Sequence, residues 1–197
     1  MPIVRIAILA AGQASRFGAN KLMQLWRGQP LLSYVLEAAS RTCPGQVLVV
    51  TGADAETIAP VCAEFGADTV LNPSFASGIG TSIATAARAC KGDADGMLLL
   101  LGDQPLVTAA HLGELIDLWN GDPERICASR YAGTQGPPVL FGGAYLARLS
   151  ELNDDSGAKE VVTGNDRVIA IDFEPAAIDI DELDDLLQLD KFSSNPK

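Results

Sequence analysis

The sequence predicts a single α/β domain: a three-layer α/β/α sandwich around a mostly parallel, Rossmann-like sheet. Apolar strand-like runs alternate with helical patterns along the chain, which is the mark of parallel strands joined by crossover helices. The run Gly96–Leu101 is continuously apolar after its glycine, as expected for a central strand covered on both faces. A loop of small residues follows the first apolar run directly, at the end of a strand where such sheets bind ligands.

Taken in order, residues 3–9 read as a buried strand, six of the seven being apolar. Pro30 suits a first helical position and opens a helix through Arg41. A second strand over 47–51 ends at Gly52, and a helix over 55–65 follows. A short strand at 69–71 leads through a loop at 72–80 into a helix over 81–91. After the strand Gly96–Leu101 come a helix at 111–119, strands at 126–129 and 139–141, and a late strand at 168–173. The domain is expected to span residues 1–191, with 192–197 a frayed tail.

Composition limits what the chain can do. At 197 residues, 48% hydrophobic and 20% charged, it is long enough for one well-buried domain and short for two. The longest apolar runs fall far below the ~18 residues of a membrane helix. The chain enters its first strand with no basic-then-apolar leader, so a cytoplasmic protein is expected. Cys43, Cys62, Cys90 and Cys127 stand far apart without a metal-type spacing and read as thiols in a reducing compartment. A net charge of −11 argues against a nucleic-acid partner, which normally requires a basic face. A nucleotide is still compatible, because its charge can be met locally by cations at one cleft.

The stretch Leu9-Ala10-Ala11-Gly12 followed by Arg16, Gly18 and Lys21 has the make-up of a phosphate-holding loop. Small residues let backbone N–H groups approach a polyphosphate, and Arg16 and Lys21 supply cations. It is not a P-loop, because five residues separate Gly12 from Gly18 and the lysine does not follow a glycine. It is not the dinucleotide fingerprint either, since Ala14 stands where the second glycine would be needed.

This stretch resembles the signature of nucleotidyltransferases that activate small molecules with a nucleoside triphosphate. The resemblance continues through Asn72-Pro73, Gly78-Ile79-Gly80-Thr81-Ser82, Gly102-Asp103-Gln104-Pro105 and Gly136-Pro137-Pro138-Val139-Leu140-Phe141, and it covers nearly the whole chain. The chain is most similar to the molybdenum-cofactor cytidylyltransferase branch of the MobA-like NTP transferase family. That resemblance implies a nucleotide-diphospho-sugar transferase type of fold and transfer of CMP from CTP to the terminal phosphate of molybdopterin, with Mg²⁺ as cofactor. It also implies transient contact with a molybdoenzyme or its chaperone, and no membrane.

The resemblance assigns catalysis to Arg16, Lys21 and Asp103, and nucleotide binding to Leu9, Ala10, Ala11, Gly12, Arg16, Lys21, Gly80, Thr81 and Ser82. Asp103, at the end of a buried strand, suits Mg²⁺, which takes one or two carboxylates together with phosphate oxygens. Asp179 and Asp181 match the family's late acidic motif and are expected as further metal ligands, although acids there also suit a helix N-terminus. The CTP-using members carry Leu-Ala-Ala-Gly and the GTP-using members Leu-Ala-Gly-Gly, so the Ala11 methyl is expected to narrow the base pocket toward a pyrimidine. Thr81 and Ser82 suit helix capping as well as contacts to base or ribose. The sole histidine, His111, is expected to be structural or solvated, and Trp26 to belong to the core.

Two positions depart from the family pattern in the acceptor half. Pro137 stands where close cytidylyltransferases carry histidine, and Lys159 replaces an arginine, a point charge in place of a planar fork. A sugar phosphate or another phosphorylated small molecule therefore stays open as acceptor. So does a different class of function, a non-catalytic nucleotide-binding protein that delivers a cofactor.

Overall fold

The structure, a computed structural model, describes residues 2–12, 20–153, 157–178 and 189. The elements in chain order are β1 (Val4–Ala10), β2 (Leu25–Trp26), β3 (Gln29–Pro30), α1 (Leu31–Thr42), β4 (Val47–Thr51), α2 (Ala55–Glu64), β5 (Asp68–Leu71), α3 (Ile79–Cys90), β6 (Gly96–Leu101), α4 (Ala109–Trp119), β7 (Ile126–Tyr131), β8 (Thr134–Gly142), α5 (Leu146–Leu149), α6 (Lys159–Val162) and β9 (Val168–Asp172).

Seven strands form one sheet in the order β5-β4-β1-β6-β8-β7-β9. Strand β8 runs antiparallel to β6 and β7, whereas the β5-β4, β4-β1, β1-β6 and β7-β9 pairings are parallel. Alternate side chains of each strand feed opposite faces, and the packing follows that period. Ile6, Ile8, Val49, Leu98 and Leu100 pack with Leu32, Leu36, Ile58, Leu112 and Trp119 of α1, α2 and α4. Ala7, Leu9, Val50, Leu99 and Phe141 pack with Ile83, Ala87, Leu146 and Val161 of α3, α5 and α6. Helices thus cover both faces, and the expected three layers are present. Every residue of β4 is buried, as is every residue of β6 before Leu101, which explains their uninterrupted apolar character.

Several boundaries differ from the sequence reading. Pro30 precedes α1 as its cap, so the helix begins at Leu31. Helix α3 starts at Ile79, which puts Gly80 inside its first turn. The strands expected at 126–129 and 139–141 are parts of a longer hairpin, β7 and β8, turned at Ala132 and Gly133 with φ of 47° and 73°. That double positive φ is the geometry of a two-residue hairpin turn. A second small hairpin, β2-β3, turns at Arg27 and Gly28 in the same way, with φ of 49° and 84°. Trp26 is core: it packs with Leu31, Leu189 and Tyr34. Cys62, Cys90 and Cys127 are buried, and desolvation raises each thiol to about 11, so they are inert packing groups. Among the described residues no helix is long and apolar enough to cross a membrane.

Candidate active site

The carboxyl ends of β1, β4 and β6 lie side by side, and glycines set how closely they pack. An added Cβ at Gly102 would lie 3.1 Å from the Leu9 carbonyl oxygen and 3.2 Å from Leu22 Cδ1. Without a side chain there, the Gly102 N–H donates to Leu9 O at 3.0 Å and the β6 end is drawn against the β1 end. Gly52, just past β4, would place a Cβ 2.7 Å from Ala11 O and 3.0 Å from Phe75 Cγ. Its absence admits both the loop after β1 and the Phe75 ring.

Asp103 follows Gly102 at once. Across from it Asn20 caps a single helical turn, Lys21–Met23, its Oδ1 accepting from the Leu22 N–H at 3.0 Å. That cap fixes the position of Lys21, whose Nζ lies 2.8 Å from Asp103 Oδ2 with both side chains about one-fifth exposed. The other end of the Asn20 amide, Nδ2, is buried and has no partner among the described residues.

Between these groups lies a cleft of ≈ 380 Å³, whose lining includes Ala10, Ala11, Gly12, Lys21 and Asp103 together with Phe75, Gly78, Ile79 and Ser82. Leu9, Asn20 and Leu101 also line it. Gly12 is informative because its φ lies outside the left-handed region and an added Cβ would meet nothing within 4 Å among the described residues. Among the described residues nothing in the fold requires glycine there; the missing side chain leaves room in the cleft.

Sequence reasoning placed nine described residues at the site. Leu9, Ala10, Ala11, Gly12, Lys21, Asp103 and Ser82 meet around the cleft. Gly80 and Thr81 are not on its wall: Thr81 accepts from Asn72 Nδ2 at 2.8 Å and directs its own hydroxyl at the carbonyls of Gly78 and Ser74. The same Asn72 nitrogen donates to Ser82 Oγ at 3.0 Å, so one buried amide fixes the start of α3. Arg16, Asp179 and Asp181 lie outside the described residues. Phe75, Ile79 and Asn20 were not singled out from sequence. Asn20 carried a signal, a residue favoured as a helix cap directly before the lysine.

A second cavity of ≈ 270 Å³ shares Leu9, Ile79 and Leu101 with the first and extends along the β8 side to Tyr131, Gln135 and Val139. Pro137 and Lys159, the two positions that depart from the family pattern, both line it. His111 lines neither cavity. It is buried, stacks on Phe173 with ring centroids 3.8 Å apart, and sits 2.7 Å from Ser129 Oγ through Nε2. Burial lowers its pKa to about 4, so it is neutral and structural.

The donor set at the cleft fits a divalent cation held partly by its substrate. Among the described residues no group of three or more His, Cys, Asp and Glu comes together, so from these residues Asp103 would contribute a single carboxylate, and phosphate oxygens and ligands outside the described residues would supply the rest of the shell.

A family model described as the MobA-like NTP transferase domain matches residues 6–168. The chain is 29% identical over 191 residues to the purine catabolism protein PucB of Bacillus subtilis, covering 90% of this chain and 88% of that protein. It is 35% identical over 142 residues to the bifunctional protein GlmU of Paramagnetospirillum magneticum, which covers 70% of this chain but only 28% of GlmU. The solved structure of Rv0371c from Mycobacterium tuberculosis H37Rv superposes with a TM-score of 0.82 at 29% identity, over 95% of this chain and 97% of that one. Another structure of Rv0371c, in complex with manganese, superposes with a TM-score of 0.77 at 28% identity, over 95% and 97% of the two chains.

Proposed function

The chain belongs to the MobA-like NTP transferase family, and on that premise we propose that it transfers CMP from CTP to the terminal phosphate of molybdopterin and releases pyrophosphate. The observation that carries this reading is Lys21 Nζ held 2.8 Å from Asp103 Oδ2 over a cleft in which Gly12 leaves space for a ligand.

The triphosphate lies along residues 10–12, where small side chains leave the backbone open to phosphate oxygens. Lys21 exchanges its carboxylate partner for those oxygens, and Arg16 supplies a second cation. Mg²⁺ held by Asp103, with Asp179 and Asp181 as further ligands, would neutralise charge on the α-phosphate and on the departing pyrophosphate. The base lies between Ala11 and the wall of Phe75, Ile79 and Ser82, where the Ala11 methyl reduces the width open to a purine.

The second cavity takes the acceptor. Its shared wall at Leu9, Ile79 and Leu101 brings the acceptor phosphate toward the α-phosphorus of CTP. An acceptor phosphate oxygen forms the new P–O bond as the bond to pyrophosphate breaks. No protein nucleophile is required, and the residues act by positioning and by charge. Pro137 and Lys159 on the acceptor wall favour a second reading, in which another phosphorylated small molecule such as a sugar phosphate takes the place of molybdopterin.

The test is calorimetric titration with CTP and with GTP in Mg²⁺, repeated on Asp103→Ala. CTP binding that exceeds GTP binding and weakens in the variant supports the proposal. A GTP preference overturns the base assignment, and binding of neither nucleotide overturns the reading of the cleft.

A further inference from the structure

We propose that Gln104 is a positioning residue that fixes the acceptor wall relative to Asp103. The inference rests on the reading that the second cavity takes the acceptor. Gln104 is 2% exposed and follows Asp103 directly. Its Nε2 donates to Ala176 O at 2.8 Å and to Pro137 O at 3.3 Å, while its Oε1 is buried with no partner among the described residues. Turning the amide over would set Oε1 against two carbonyl oxygens, so its orientation follows from its surroundings. The fold keeps a buried acceptor unmatched and retains two donors, an arrangement that calls for an explanation.

The explanation lies in β8. Pairing between β7 and β8 jumps from Ala128 opposite Val139 to Ser129 opposite Gly136, leaving Pro137 and Pro138 out of the ladder. Neither proline has an N–H to donate, so their carbonyls are the backbone groups by which this bulge can be held. Two buried side chains from separate elements hold them. Gln104 takes Pro137 O, and Ser129 Oγ donates to Pro138 O at 2.8 Å. Because the Ser129 proton is committed there, His111 Nε2 is the donor in its 2.7 Å contact with Ser129. Pro137 lines the acceptor cavity, and Ala176 belongs to the segment that runs on toward Asp179 and Asp181. One amide thus ties the Asp103 loop to the acceptor wall and to the last described segment before the late acidic motif. Gln104 does not line the nucleotide cleft.

Gln104→Met keeps the length and removes both donors. In this variant Mg·CTP affinity should stay within about twofold of wild type, and KM for CTP should hold. The kcat for CMP transfer to molybdopterin should fall roughly 10- to 100-fold, as small misplacements of reacting groups do. Hydrogen exchange at the amides of Gly136 and Val139, which flank the prolines, should rise about tenfold. Wild-type kcat in Gln104→Met, or a fall matched by an equal loss of CTP affinity, overturns the proposal. If wild type itself fails to use molybdopterin, the acceptor assignment falls, and exchange still decides for Gln104: unchanged rates at Gly136 and Val139 overturn its role.

Discussion

Gly12→Ala separates what the fold needs from what the ligand needs. The φ of Gly12 is open to any residue, and the added Cβ meets nothing within 4 Å among the described residues. The free protein should therefore gain stability, by about 0.4–1 kcal/mol, because alanine has fewer unfolded conformations to lose. For a chain of 197 residues that corresponds to a rise in Tm of roughly 1–4 °C. Nucleotide binding should move the other way. Gly12 lines the cleft, so a methyl added there would claim about 3.5 Å of the space in which the triphosphate is proposed to lie. The overlap should weaken Mg·CTP binding at least about tenfold, or ~1.4 kcal/mol. Thermal unfolding with and without Mg·CTP reads both effects, since the nucleotide-induced rise in Tm shrinks as affinity falls. A variant with raised Tm and wild-type CTP affinity would refute the claim that Gly12 keeps space for the triphosphate.

Other perturbations give equally direct outcomes. Asp103→Asn should abolish metal-dependent turnover while moving Tm by no more than about 4 °C, because a partly exposed ion pair contributes less than about 1 kcal/mol; metal titration and unfolding check the two parts. Lys21→Ala should weaken triphosphate binding more than CMP binding, which calorimetry with the two ligands resolves. His111 has a folded pKa of about 4, below the unfolded value of 6.5. The unfolded chain thus binds the extra proton first, so this contribution is complete above about pH 6.5 and is lost as pH falls toward 4, by a total on the order of 3 kcal/mol. Urea unfolding of wild type and His111→Phe between those limits should show the steeper acid loss in wild type alone. Gly142→Ala should lower Tm by at least roughly 4 °C without touching either cavity, since its Cβ would fall 2.4 Å from Pro123 O, and differential scanning calorimetry measures it.

The centre of the sheet was legible because β4 and β6 are apolar along almost their whole length. Residues 47–51 and 96–101 announce burial on both faces, and the expected layers follow. The hairpin from β7 to β8 was read too short because its outer half is polar: 130–136 is largely exposed and carries no apolar alternation. Its Ala132-Gly133 turn is a weak local signal, since alanine rarely adopts positive φ. At the cleft, Gly12, Lys21 and Asp103 could be named from sequence because loops at strand ends converge in this topology. Phe75 and Ile79 could not, since an apolar residue in a loop looks the same whether it lines a ligand site or caps the core. The part of Thr81 was ambiguous for a related reason: a hydroxyl near a helix start can serve a cap or a ligand, and its bonds to Gly78 and Ser74 appear only when Asn72 is packed beside it.

The most direct measurement is pyrophosphate release by the purified protein supplied with molybdopterin, Mg²⁺ and either CTP or GTP, with the cytidylylated product identified by mass. One pyrophosphate should be released per CMP-molybdopterin formed from CTP, and little from GTP. Release that depends on GTP, or release with CTP only when a sugar phosphate replaces molybdopterin, would contradict the proposed reaction.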